Sequence, residues 1–167
     1  MKTIFSFIKK YSKYIFVLYL IVMFLVLVMK FPQMDMFYGI IERWTKGIKL
    51  GFADKPQLIP FKTIIEYVNN TQAIYDWFAK NLMVNIIMFM PCGFLLPLFL
   101  KKNRIWQVLM IGIVLSVIIE IIQTLLSVGT ADIDDVILNT FGTFIGFGIY
   151  KLIYDVWINK SKRKTAN

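Results

Sequence analysis

The sequence predicts an all-α polytopic membrane protein: a bundle of four transmembrane helices, with an extracytoplasmic loop that carries a short interfacial helix. Three observations predict it. First, 58% of the 167 residues are hydrophobic and the mean hydropathy is +0.66, more apolar surface than one soluble core of this size can hide. Second, four apolar stretches, roughly Tyr14 to Met29, Asn81 to Leu100, Ile105 to Leu126 and Val136 to Trp157, suffice to cross a ~30 Å hydrocarbon layer at ~1.5 Å per helical residue. Third, the basic residues gather in short segments at one set of ends of these stretches.

That third observation fixes the expected orientation. Lys2, Lys9, Lys10 and Lys13 precede the first stretch, Lys101, Lys102 and Arg104 separate the second and third, and Lys160, Lys162, Arg163 and Lys164 follow the fourth. The positive-inside rule places these segments, and with them both termini, in the cytoplasm. Lys and Arg outnumber Asp and Glu by 19 to 10. On a soluble domain this excess would point to nucleic acid, but here it reads as a topology signal, and no nucleic-acid partner is expected.

The first stretch reads as an uncleaved signal anchor, because no small-x-small site follows Met29 and the run exceeds a signal-peptide core. The loop from Lys30 to Lys80 then lies outside. It carries basic residues of its own, but at about 50 residues it approaches the length at which the charge bias weakens. Within it, Phe37, Ile40, Ile41, Trp44 and Ile48 recur at helical spacing beside Glu42, Arg43, Lys46 and Lys49, the pattern of a helix on the membrane surface or capping the bundle. Leu58-Ile59-Pro60-Phe61-Lys62-Thr63-Ile64 follows as an apolar turn able to dip into the interface, and Asn69-Asn70-Thr71 fits a glycosylation sequon.

The second stretch is interrupted by Pro91, Gly93 and Pro97. Each proline removes an intrahelical hydrogen bond, freeing the carbonyls of Ile87 and Gly93 and predicting a kink. Gly142-x-x-x-Gly146 in the fourth stretch predicts a close helix contact within the bundle, and secondarily a face for a second copy of the chain.

The candidate site comes from polar residues inside the apolar stretches. Asn81 and Asn85 sit one turn apart at the outer end of the second. Ser116, Glu120, Gln123 and Ser127 form one stripe over the outer half of the third, and Asp135, Asn139, Gly142 and Gly146 another in the fourth. A mid-membrane acid costs roughly 2.5–3.5 kcal/mol to insert, so these stripes should face one another in the bundle interior. Glu120, about fifteen residues and roughly 22 Å along its helix, is the one acid well inside a span, either a functional group or a structural partner of Asn85 or Asn139. In the acidic turn Asp132-Ile133-Asp134-Asp135, Asp132 and Asp134 suit helix capping, whereas Asp135 shares the stripe with Asn139 and suits a ligand contact. The triplet lacks the glycine and spacing of an EF-hand loop, and neither a metal nor another cofactor is expected. There is no histidine, the single Cys92 lies in an apolar run, and no Gly-rich phosphate loop appears, so hydrolase chemistry built on a nucleophile and base has nothing to use.

At these residues the chain resembles the VanZ-like family of small bacterial membrane proteins. The resemblance rests on Leu58 to Ile64, on Asn81 to Pro97 around Asn85-Ile-Ile-Met-Phe-Met-Pro91-Cys-Gly93, on Glu120-x-x-Gln123, and on Asp132-Ile-Asp134-Asp135-Val-Ile-Leu-Asn139-Thr-Phe-Gly142. It covers roughly Leu58 to Tyr150. It implies a helical bundle of four or five spans in the bacterial plasma membrane, and an association with resistance to glycopeptide antibiotics of the teicoplanin type. It implies no established reaction. Many relatives carry an arginine shortly before the acidic turn; here Ser127-Val-Gly-Thr130-Ala has none, so if that arginine pairs with a ligand or an acid, this chain must use Lys62 or Arg43 or work differently.

The leading expectation is a non-enzymatic envelope protein whose outward-opening polar pocket engages a membrane lipid or lipid-linked cell-wall precursor. Asn81, Asn85, Glu120, Gln123, Asp132, Asp135, Asn139 and Lys62 would form the ligand-binding set. The alternative is a membrane-embedded lipid-modifying enzyme using Glu120 as general acid or base, with Asp135 near a head-group phosphate. An ion pathway fits less well, because no matching polar set lines the cytoplasmic half.

Overall fold

The computed structural model describes residues 2–28, 41, 45, 56–69, 82–100, 104–126 and 131–165. Asn81, Arg43, the expected interfacial helix apart from Ile41 and Thr45, the Asn70-Thr71 part of the sequon and residues 127–130 lie outside them. Among the described residues there are five helices: α1 Lys2–Leu27, α2 Lys62–Asn69, α3 Leu82–Phe99, α4 Ile105–Leu125 and α5 Ile133–Thr165.

Three segments are long and apolar enough to cross a membrane: Lys10–Leu27 of α1, Ile105–Leu125 of α4 and Ile133–Tyr154 of α5. They coincide with three of the four expected spans. The fourth, α3, has 18 residues and an apolar part, Met83–Phe99, below the length of a full span.

The side-chain pattern of α4 explains why lipid is its solvent. Val108, Gly112, Ser116, Ile119, Glu120 and Thr124 are buried, while Met110, Val114, Ile118, Ile121 and Leu125 are 56%, 52%, 45%, 50% and 48% exposed. A helix with its acid inside and its aliphatic side chains outside is amphipathic in the sense opposite to that of a soluble protein.

Contacts fix the relative directions. Tyr19 of α1 donates its hydroxyl to the Met88 carbonyl of α3 at 2.7 Å, and Phe16 meets Phe99 at 5.3 Å between ring centroids, so α1 and α3 are antiparallel. Ile86 faces Gly142 and Met90 faces Gly146, so α3 and α5 are parallel. Gly112 of α4 lies against Thr143, and Ser116 against Asn139, so α4 and α5 are antiparallel. One end of the bundle thus collects the start of α1, Arg104 and the basic tail of α5. The other collects the ends of α1 and α4 and the starts of α3 and α5.

The α3–α5 pair is the most intimate contact and depends on absent side chains. A Cβ on Gly142 would meet the Ile86 carbonyl, one on Gly146 the Met90 carbonyl, and one on Gly93 the Thr143 carbonyl. The glycine pair therefore seats α3 within the bundle, the first of the two roles expected for it. α3 remains one helix through Pro91 and Pro97. Around this seam Phe89, Cys92, Leu95, Leu96, Val108, Ile119, Phe147 and Tyr150 form the core, extended by aromatic contacts of Tyr150 with Phe94, Phe147 and Tyr154.

Candidate functional site

The site begins at the first turn of α5. Asp132 acts as its N-cap: Oδ1 accepts the backbone N–H of Asp134, two residues on, at 2.9 Å. Its other oxygen accepts the Thr63 hydroxyl at 2.6 Å, and its own backbone N–H donates to Glu120 Oε2 at 3.2 Å. Asp132 thereby joins three elements, α5 to α4 through Glu120 and to α2 through Thr63.

Asp134, also expected to serve α5 as a capping acid, turns instead to another helix. It is 0% exposed. Its Oδ1 accepts the Phe61 N–H at 2.6 Å and its Oδ2 the Ile64 N–H at 3.1 Å, two orphan donors at the start of α2. A parallel backbone bridge completes the docking: the Gln57 N–H donates to the Ala131 carbonyl at 2.8 Å, and the Ile133 N–H to the Gln57 carbonyl at 3.0 Å. Two of the sequence motifs, Leu58–Ile64 and Asp132–Gly142, are therefore hydrogen-bonded to each other.

Deeper in the bundle, Asn139 is 1% exposed and donates from Nδ2 to Ser116 Oγ at 2.8 Å, while its Oδ1 is buried with no hydrogen-bond partner among the described residues. Thr143 and Thr124 return their hydroxyls to the carbonyls of Asn139 and Glu120, four residues back on their own helices. Asn85, 8% exposed, adds an amide from α3 next to the Ile86–Gly142 contact. Glu120 is 6% exposed. Truncating Ser116 to alanine would strand the Asn139 amide donor as well as its acceptor. The expected cost is about 1–3 kcal/mol, read as a lowered thermal-unfolding midpoint in detergent.

Of the expected site residues, Asn85, Glu120, Asp132 and Asn139 are brought to one end of the bundle, in or beside its interior. Asp135 lies half-buried beside them on α5. Gln123 is directed elsewhere: its Nε2 donates to the Leu27 carbonyl at 2.9 Å, closing the end of α1. Lys62 is exposed at the start of α2. Gln57, Thr63 and Asp134 are the residues that sequence reasoning missed as parts of this junction. Among the described residues no three acidic or thiol side chains converge as a metal-binding group.

Helices of membrane-spanning length around a buried polar cluster define a small helical membrane protein with polar groups gathered toward one end of its bundle. The profile of the VanZ/LLP1 family matches residues 16–154, and the chain belongs to that family. Among curated proteins, Protein VanZ of Enterococcus faecium is similar: 38% identical over 73 residues, which cover 44% of this chain and 45% of that protein. The match thus spans less than half the length of that relative. No solved structure matches the chain.

Proposed function

We propose that this protein is a four-span plasma-membrane protein whose polar end opens outward and engages a membrane lipid or a lipid-linked cell-wall precursor, with both termini cytoplasmic. By doing so it lowers the action of teicoplanin-type glycopeptides at the outer leaflet. The observation that carries this reading is the convergence, toward one end of the bundle, of buried polar groups from α3, α4 and α5: Asn85, Glu120 and Asn139. Burying such groups at this depth is costly unless they pair with one another or with a ligand. The concentration of basic residues at the opposite end supports the outward orientation, and membership of the VanZ/LLP1 family supports the link to glycopeptides.

The alternative, a lipid-modifying enzyme, draws less support. Glu120 Oε2 accepts a backbone N–H from Asp132, which suits a carboxylate that positions the acidic turn better than one that shuttles protons. The test is mass spectrometry of lipids that co-purify in mild detergent with the wild type and with Glu120→Ala. A specific lipid or precursor should be enriched with the wild type and lost with the variant. Identical lipid profiles would remove the ligand-pocket reading, and unchanged teicoplanin susceptibility on deleting the protein would remove the resistance reading.

A further inference from the structure

The segment that docks on the acidic turn presents a surface that the bundle interior does not use. Leu58, Ile59, Phe61 and Ile65 are 66%, 62%, 53% and 54% exposed. Four large apolar side chains within eight residues make a patch of the kind that marks a protein or membrane contact. The segment is firmly fastened, by the Gln57 bridge to Ala131 and Ile133, by Thr63 to Asp132, and by Phe61 and Ile64 to Asp134. Phe61 has φ 65°, a left-handed conformation that a bulky residue seldom adopts. The buried Asp134 carboxylate holds the Phe61 N–H in that conformation, and the outcome is a turn that projects its apolar side chains away from the bundle.

The level of this turn identifies what meets it. Its fastening points, Asp132 and Asp134, lie where the apolar span Ile133–Tyr154 begins, the level at which hydrocarbon would give way to head groups around a helix of that length. Apolar surface continues from that boundary along the helices: Leu125 at the end of α4 is 48% exposed and Phe141 of α5 is 52% exposed. On α2 itself, Lys62 and Glu66 are exposed one turn apart, flanking apolar Ile65. This mixture of an apolar turn with a basic and an acidic side chain is the composition of an interfacial element, in which a lysine can lay its stem along apolar surface and keep its ammonium among head groups.

We infer that residues 58–65 are an interfacial anchor, with Leu58, Ile59 and Phe61 seated in the lipid leaflet at the polar end of the bundle. The occupant of the patch is the bilayer itself. The inference holds for whichever leaflet that end faces, and it does not depend on the ligand proposed for the polar cluster.

Site-directed spin labelling of the full chain tests it. Cys92 is 0% exposed and is replaced by alanine, after which single nitroxides are introduced at Leu58→Cys, Ile59→Cys and Glu66→Cys. The protein is reconstituted into vesicles of phosphatidylethanolamine and phosphatidylglycerol. The side chains of Leu58 and Ile59 are mostly exposed, so the labels leave the packing of the bundle intact, and either position can stand in for the other. Collisions with oxygen, which partitions into lipid, should exceed those with a water-soluble nickel chelate at positions 58 and 59. The ratio there should be several-fold higher than at position 66. Nickel-dominated collisions at positions 58 and 59 would overturn the proposal. So would dipolar broadening between labels at these positions, which would assign the patch to a second copy of the chain.

Discussion

Replacing Gly146 with alanine is expected to unseat α3 from α5 and to lower stability by about 3 kcal/mol, the upper part of the usual range for overpacking. An added Cβ there would meet the Met90 carbonyl, with the Met90 carbonyl carbon at 2.8 Å and its Cα at 3.1 Å. These are backbone atoms of a neighbouring helix, so no side-chain rotation relieves the clash; the helices must separate. Separation would also open the contacts at Gly142 and Gly93, because all three lie along one seam. The reason for the small residues is specific to lipid: acyl chains solvate leucine as well as a neighbouring helix does, so association depends on close backbone approach. Gly148 supplies the control, since nothing lies within 4 Å of a Cβ built there. Gly148→Ala should be neutral, or should stabilise by about 0.5–1 kcal/mol through helix propensity. Thermal unfolding of the two variants in the same detergent, followed by loss of the monodisperse species, checks the contrast. Equal midpoints would mean that the α3–α5 seam does not set stability.

The same physics explains which parts of the fold were legible in the sequence. Hydropathy and length located the long helices because the lipid solvent imposes both, and three spans appear within a few residues of where the apolar stretches end; α2, eight residues long and beginning inside the segment read as an apolar turn, gives neither signal. The convergence of Asn85, Glu120, Asp132 and Asn139 was also legible, because an intramembrane polar group has few places to go other than the interior. The rotation of α5 was read too narrowly. The stripe through Asp135, Asn139, Gly142 and Gly146 omitted Asp134, Leu138, Thr143 and Phe147, all of which are buried. α5 contacts α2, α3 and α4 and therefore buries a wider face than a helix with one neighbour. Gln123 matched the periodicity of the polar stripe, yet its amide goes to the Leu27 carbonyl, 96 residues away in sequence. Periodicity assigns a residue to a face of its helix; it carries no information about which distant backbone group needs a donor.

Asp134 makes the same point more sharply, and its replacement should have an effect at least as large as that of Gly146→Ala. An acidic residue in the first turn of a helix is ordinarily explained by that helix's own dipole, and nothing local reveals that Phe61 and Ile64, 73 and 70 residues earlier, need an acceptor. Asp134→Ala removes both acceptor oxygens from a fully buried position and leaves two backbone donors unsatisfied. Hydrogen bonds to a charged group are worth about 1.5–3 kcal/mol each, so the segment loses several kcal/mol of docking energy while Phe61 gains freedom to leave its left-handed conformation. The Gln57 bridge and the Thr63–Asp132 bond are too few to hold the turn unaided, and the segment should detach locally while the α3–α5 seam stays closed. Amide hydrogen exchange separates these outcomes: protection should fall at Phe61 and Ile64 and persist along α4 and the middle of α5. Asp134→Asn, which keeps one carbonyl acceptor but presents an N–H₂ to the other donor, should retain part of the protection. If Asp134→Ala left exchange at Phe61 unchanged, the buried carboxylate would not be what holds the turn. Loss of protection throughout the bundle would instead make this junction part of the folding core.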